Sequence, residues 1–203
     1  MIDLLREDNL WIVTLNRPEK ANALTRAMLE RLTEISKKAQ AEAHALILTG
    51  VGKVFSAGAD LNEAGAGLAT NPVWEELSQS IAALPCLTIA ALNGTLAGGA
   101  FGMALACDLR ISVPTAKFFY PVMKLGFLPQ PSDPARLVTL VGPARAKLIL
   151  MAGSRLTAEE ALKFGLIDRL STPELLLADA KALVADSLAA DAEIARRIKE
   201  MCH

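Results

Sequence analysis

Histidine is almost absent from the sequence, in which only His44 and His203 occur among 203 residues. Cysteine is also rare. The three cysteines, Cys86, Cys107 and Cys202, are odd in number and show no CxxC spacing. A structural zinc site needs clustered His and Cys ligands, and a serine-type catalytic triad needs a histidine base. We therefore expect no metal site and no such triad, and we expect the cysteines to be reduced packing residues.

An excess of charge of one sign is missing as well, since 21 Lys and Arg face 22 Asp and Glu, for a net charge of −1. Without a basic block, nothing points to a nucleic acid or an anionic membrane surface as a partner. No apolar run is long enough to span a bilayer, and the charged residues 1–8 do not resemble a signal peptide. We expect a cytoplasmic protein without membrane or nucleic-acid partners.

Small and aliphatic residues dominate instead, because 52% of the sequence is apolar although only 4% is aromatic. Runs of β-prone residues alternate with amphipathic stretches, which is typical of an α/β fold. Predicted strands span residues 10–15, 45–49, 87–92, 109–112 and 117–120. Predicted helices span residues 25–43, 72–84, 143–152, 157–164, 173–188 and 191–201. Thr25 is predicted as an N-cap, Thr157 is placed in a capping box, and residues 62–72 are interpreted as a mobile loop.

Residues 93–108 (NGTLAGGAFGMALACD) carry no charge between Gly94 and Cys107, so this segment is predicted to be a buried helix that follows the strand at 87–92. Gly98 and Gly99 stand at the predicted start of the helix. There they let a ligand approach the backbone closely and leave free N–H groups pointing at it. Such amides suit an oxygen that becomes negative during a reaction, which is the property of an oxyanion hole.

Other functions of a glycine-rich turn fit less well. A phosphate-binding P-loop ends in Gly-Lys-Ser/Thr, but no Lys occurs between Val54 and Ala116. A dinucleotide-binding motif is also missed, because Ala97 replaces its first glycine and Val122 stands where its acidic residue is sought. From this segment alone, glycines that only allow close helix packing explain the pattern as well as a ligand site does.

Several motifs together resemble one family. In the family's order and spacing, the motifs are residues 16–24 (NRPEKANAL), 55–61 (FSAGADL), 93–94 with 98–99 (NG, GG), 106–108 (ACD), 156–161 (LTAEEA) and 165–168 (GLID). The chain is thereby identified as similar to the crotonase superfamily, also called the enoyl-CoA hydratase/isomerase family. The resemblance implies a crotonase-like spiral of ββα repeats over residues 1–170. It also implies a C-terminal helical segment, residues 171–203, that mediates homotrimers, often paired into hexamers.

The resemblance further implies an acyl-CoA thioester as substrate, with coenzyme A as part of that substrate and no separate cofactor. The backbone amides of Ala59 and Gly99 would then hold the thioester oxygen while an enolate forms. Ala21, Ala57 and Leu61 would lie near the adenine, and Lys20 or Arg26 would contact a phosphate. The implied substrate-binding residues are Lys20, Ala21, Arg26, Ala57, Asp60, Leu61 and Gly98.

The sequence departs from the family where proton-transferring side chains belong. The two glutamates with which hydratases position and deprotonate water align with Gly102 and Val122, and neither residue can transfer a proton. The remaining candidates are Tyr120, Gln130 and Asp133, of which Tyr120 and Asp133 are taken as catalytic acid or base. A packing role for Tyr120 and an N-cap role for Asp133 are the alternatives.

Three hypotheses follow from these residues. The first is a lyase or isomerase of the family that forms an enolate by isomerisation, decarboxylation or a related step rather than by hydration. The second is a catalytically silent acyl-CoA-binding protein, and the third, disfavoured by the intact Ala59 and Gly99 motifs, is a vestigial site. Apolar residues on the last two predicted helices, among them Leu175, Ile194 and Ile198, exceed what one core needs and favour assembly with other subunits.

Overall fold

Two β-sheets and the helices between them form the fold, which a computed structural model describes for residues 1–202. The strands are β1 (Ile2–Glu7), β2 (Leu10–Leu15), β3 (Ala45–Gly50), β4 (Val54–Ser56), β5 (Leu87–Leu92), β6 (Thr95–Ala97), β7 (Leu109–Ser112), β8 (Lys117–Phe119), β9 (Leu156–Thr157) and β10 (Arg169–Leu170). The helices are α1 (Arg26–Glu42), α2 (Leu61–Gly65), α3 (Val73–Ala82), α4 (Phe101–Leu105), α5 (Val122–Leu125), α6 (Asp133–Leu150), α7 (Ala158–Phe164), α8 (Leu176–Ala189) and α9 (Ala192–Met201). Single 3-10 turns lie at Pro18–Lys20, Leu68–Thr70 and Gly98–Ala100.

The larger sheet has the order β1-β2-β3-β5-β7-β10 and is parallel except for β1. The smaller sheet has the order β4-β6-β8-β9, in which β4, β6 and β8 are parallel. Each of β3, β5 and β7 is followed by a short strand of the smaller sheet and then by a helix. The ββα unit therefore repeats along the chain, as the resemblance implied.

Burial explains why the central strands and α1 form as predicted. The strands β3 and β5 are covered on both faces, so their sequences are almost continuously apolar. In α1 the residues Met28, Leu29, Leu32 and Ile35 recur on one helical face and are all buried. The Thr25 hydroxyl accepts a hydrogen bond from the Met28 N–H at 3.2 Å, which confirms the predicted N-cap.

Two predictions of local structure were wrong because tertiary contacts decided them. The segment after Gly94 is not one helix: β6 pairs with β4 and β8 before the turn at Gly98, and α4 is only five residues long. Residues 62–72 are not simply a loop, since they contain most of α2 and a 3-10 turn. Asp60 caps α2 by accepting from the Asn62 N–H at 3.1 Å, and the Trp74 indole donates to the Leu68 carbonyl at 2.8 Å.

The helix predicted over residues 143–152 begins ten residues earlier. The helix α6 starts at Asp133 and bends at Gly142 (φ 78°, ψ 164°), directly before Pro143. Asp133 is thus the first residue within the helix and not its N-cap, so its carboxylate is free to turn toward the interior. Strand β1 was not predicted, because it is an edge strand whose residues are mostly exposed and partly charged.

The C-terminal helices pack unevenly against the sheet. Leu176 is buried, whereas Leu175, Ile194 and Ile198 are 54%, 56% and 58% exposed. The predicted assembly with other subunits remains a prediction. None of the helices in residues 1–202 combines the length and apolar character that crossing a membrane requires.

Candidate functional site

The carboxyl ends of β4, β6 and β8 converge at one edge of the smaller sheet. Residues that directly follow these strands surround a cavity of about 230 Å³, to which they contribute Ala59, Gly99, Tyr120 and Val122. The carboxyl edge of parallel strands is the usual place for ligand binding in α/β proteins. The spiral therefore brings together residues from three successive ββα units that are far apart in the sequence.

Backbone hydrogen bonds fix the segment that follows β4. The Leu24 N–H donates to the Gly58 carbonyl at 2.7 Å, and the Asp60 N–H donates to the Leu24 carbonyl at 2.9 Å. The N–H of Ala59, which lies between these two bonds, takes no part in the bridge and belongs to a residue of the cavity wall. The Ser56 hydroxyl holds the turn by donating to the Asn22 carbonyl and accepting from the Gly58 N–H.

The turn that follows β6 lies against this segment. Gly58 has φ +92°, and a Cβ atom there would come within 3.0 Å of the Ala97 carbonyl oxygen, so the approach requires glycine. Gly99 is the second residue of its 3-10 turn, and its N–H therefore has no partner within that turn. Two backbone segments thus bring Ala59 and Gly99 to the wall of one cavity.

A second cavity of about 380 Å³ adjoins the first, and both are lined by Ala57, Ala59 and Leu61. Lys20, Ala21 and Asp60 also line it, so the structure brings most of the predicted substrate-binding residues together.

The side chains of Arg26 and Asp60, two of the predicted substrate-binding residues, are paired with other residues of the protein. The guanidinium of Arg26 lies 3.7 Å from Glu30 rather than at the cavity. The carboxylate of Asp60 accepts from Arg17 at 2.7 Å, which lowers the pKa of Asp60 and engages this side chain within the protein.

Tyr120 and Asp133 form a buried pair beside the first cavity. The Tyr120 hydroxyl donates to Asp133 Oδ2 at 2.9 Å, and the Tyr120 ring stacks on Phe101 with centroids 5.3 Å apart. Asp133 is only 1% exposed, and its Oδ1 atom has no hydrogen-bond partner among residues 1–202. A Cβ atom placed on Gly102 would lie 3.0 Å from this Oδ1. The carboxylate therefore occupies space that a side chain at position 102 would enter.

Burial changes the proton affinity of both groups. Desolvation raises the pKa of Asp133 to about 7, and the nearby Glu75 adds to the rise while the Tyr120 hydroxyl and Arg136 oppose it. Burial also raises the pKa of Tyr120 well above its usual range, so the phenol stays protonated at neutral pH. A carboxyl group with a pKa near neutrality can both accept and return a proton under physiological conditions.

Several wall residues were missed by reasoning from the sequence. Trp74 of α3 lies against the Gly99 turn, where a Cβ on Gly99 would be 3.2 Å from the indole ring. Phe119, Leu125, Phe127 and Leu128 complete the wall on the side of β8 and α5. Trp74 is one of only two tryptophans in the sequence, and that rarity was the one available signal. The described residues that line this cavity include no charged side chain.

Comparisons with known proteins show which family the chain resembles. The family model described as Enoyl-CoA hydratase/isomerase matches residues 6–203. The "Probable enoyl-CoA hydratase echA6" of Mycobacterium bovis is 36% identical over 187 residues, which are 92% of this chain and 75% of that relative.

Solved structures show the same likeness. The crystal structure of an enoyl-CoA hydratase from Bacillus anthracis has a TM-score of 0.90 at 30% identity, covering 98% of this chain and 81% of that one. Pseudomonas aeruginosa DspI has a TM-score of 0.91 at 29% identity, covering 99% and 85%.

The fold and the cleft at the carboxyl ends of β4, β6 and β8 thus define an α/β protein of the crotonase type. The chain belongs to the enoyl-CoA hydratase/isomerase family, a family of enzymes. The membership and the spiral fold expected from the sequence are confirmed.

Proposed function

We propose that the cleft binds an apolar enoyl-CoA thioester and that the protein moves the carbon–carbon double bond within the acyl group. The thioester oxygen would accept hydrogen bonds from the amides of Ala59 and Gly99. The observation that carries this proposal is the buried Tyr120–Asp133 pair, because it places a titrating carboxyl group beside Gly102.

The two amides make the acyl group acidic at the carbon next to the thioester. When that carbon loses a proton, its electron pair moves onto the carbonyl oxygen and an enolate forms. Preorganised N–H donors stabilise such an oxyanion by about 3 kcal/mol each in comparable sites. Stabilisation of the enolate serves isomerisation, hydration and decarboxylation alike. The side chains around the acyl group therefore determine which of these reactions occurs.

Isomerisation needs only one acid–base group, which takes a proton from carbon 2 and returns it to carbon 4 of a 3-enoyl thioester. Tyr120 lines the cavity, and its hydroxyl is bonded to Asp133. In the forward step the phenol oxygen would take the carbon-bound proton while its own proton moves to Asp133 Oδ2. Both transfers reverse when carbon 4 is protonated. Because the pKa of Tyr120 is raised, the two transfers have to be concerted and avoid a free tyrosinate.

The other two reactions have less support from the cavity wall. Decarboxylation of a malonyl-type thioester would place a carboxylate in a cavity whose described lining has no charged side chain, and burial of an unpaired charge is costly. Hydration requires groups that position and deprotonate water. Gly102 and Val122, which align with the family's two glutamates, offer none.

The test is to incubate the protein with 3-hexenoyl-CoA, crotonyl-CoA and malonyl-CoA. We expect absorbance of the conjugated 2-enoyl thioester to appear from the first at roughly 1 to 1,000 turnovers per second. We expect very weak hydration of crotonyl-CoA and no release of CO₂ from malonyl-CoA.

Asp133→Asn and Tyr120→Phe should each lower isomerisation by about 100-fold. The exposed Asp186→Asn is the matched control. Rapid hydration of crotonyl-CoA would contradict the proposal.

A protein that binds acyl-CoA without converting it is the second candidate function. It is favoured by one observation, namely that Asp133 lies behind Tyr120 and is not itself part of the cavity wall. Calorimetry with the same thioesters separates the two candidates, because this alternative predicts binding without turnover. The same titration with a chelator tests the expectation that no metal is needed.

A further inference from the structure

Glu75 on α3 is the residue that joins this helix to the start of α6. Its carboxylate accepts from the Ser132 N–H at 3.2 Å and from the Ser132 hydroxyl. Ser132 immediately precedes Asp133 in the chain. The position of Asp133 therefore depends on a carboxylate that belongs to another helix and is far away in the sequence.

A second link between α3 and α6 lies one turn further along. Ser78 on α3 accepts a hydrogen bond from Arg136 on α6, and Gln79 donates to Glu75 at 2.9 Å. Three groups act on the charge of Asp133: Tyr120 after β8, Glu75 from α3 and Arg136 from its own helix. Of these, Glu75 is the only one that is negatively charged.

We propose that Glu75 is a positioning residue for Asp133: through its bonds to Ser132 it holds the Asp133 carboxyl group beside Tyr120 and places a negative charge near it. The proposal rests on the proposed function, since it takes Asp133 as the proton-transferring group. Glu75 touches Ser132 and Gln79 and is not part of the cavity wall.

Glu75 remains ionised in its half-buried position. Burial by itself raises the pKa of Glu75, but the hydrogen bonds from Ser132 and Gln79 and the charge of Arg136 together outweigh burial and bring the net pKa below its usual range. A carboxylate at a helix N-terminus is stabilised by the exposed N–H groups of the first turn. The negative charge of Glu75 adds to the rise in the pKa of Asp133, of which burial is the main cause.

The same helical turn supports the other half of the site. Trp74 precedes Glu75 and packs against the Gly99 turn, so α3 contacts the segment that carries one of the two amides. One pair of adjacent residues thus connects the amide of Gly99 with the carboxyl group of Asp133.

Glu75→Gln tests the inference, because the amide keeps an acceptor for Ser132 but removes the charge. Its neighbour Glu76 is exposed on the same helix, so Glu76→Gln is the matched control. The first readout is a ¹³C NMR titration of the Asp133 carboxyl in protein labelled at aspartate, assigned with Asp133→Asn. The second readout is the pH dependence of kcat/KM for isomerisation.

We expect Glu75→Gln to lower the titration midpoint of Asp133. We expect Glu76→Gln to leave it unchanged. The acid limb of the activity profile should move with the midpoint. A midpoint that stays the same in Glu75→Gln would overturn the inference, even if kcat fell, because that combination indicates a purely structural role. If the midpoint moves but no thioester is converted by the wild-type protein, the positioning role stands and the proposed function fails.

Discussion

Replacement of Asp133 by Asn should stabilise the protein at alkaline pH although it lowers isomerisation by about 100-fold. Asp133 ordinarily ionises near 3.8, but in the folded protein burial raises its pKa to about 7. The carboxyl therefore contributes most to stability when it is protonated, below pH 3.8, and this contribution is lost as the pH rises through 7. Asn cannot ionise and does not suffer that loss.

The size of the effect follows from the same shift. A rise of the pKa from 3.8 to about 7 corresponds to roughly 4 kcal/mol, at 1.36 kcal/mol per unit. Asn and a protonated Asp have nearly the same shape, and both leave the group near Gly102 without a hydrogen-bond partner, so most of that cost cancels in the comparison. The advantage of Asp133→Asn should therefore grow by roughly 2 to 3 kcal/mol between pH 5 and pH 8.

Urea unfolding followed by circular dichroism at the two pH values measures this difference. Wild type and variant should be compared at one protein concentration, because assembly would also change the apparent stability. The exposed Asp186→Asn is the matched control. An equal difference in the free energy of unfolding at pH 5 and pH 8 would refute the reasoning, since it would mean that Asp133 ionises at similar pH in the folded and unfolded chain.

Two further predictions concern the glycines of the site. Gly58→Ala forces a side chain into φ +92° and within 3.0 Å of the Ala97 carbonyl, so it should cost about 1 to 3 kcal/mol in thermal unfolding experiments; an unchanged melting temperature would contradict this. Gly99→Ala places a Cβ at 3.2 Å from the Trp74 ring, so it should displace the Gly99 amide and lower kcat at least about tenfold with a smaller loss of stability. Wild-type turnover in Gly99→Ala would argue against a role for this amide.

Local patterns in the sequence were sufficient for the elements whose burial is regular. The strands at residues 10–15 and 87–92 and the capped helix at 26–42 appear as expected, because apolar spacing and an N-cap act over a few residues. The short strands β9 and β10 were not predicted, since two residues carry no periodic signal. The residues of strand β6 were predicted as part of a helix, because three residues do not reveal their pairing with β4 and β8.

The sequence by itself determined the family and the residues of the two backbone segments, because Gly58 and Gly98 adopt a positive φ that favours glycine and so make these motifs recognisable. It also showed that carboxyl groups are missing at positions 102 and 122. Only the tertiary structure decided that Asp133 lies beside Gly102, bonded to Tyr120 and flanked by Glu75. The physical reason is that a pKa depends on burial and on neighbouring charges, and these neighbours come from helices α3 and α6 and the end of β8, which are distant in the chain.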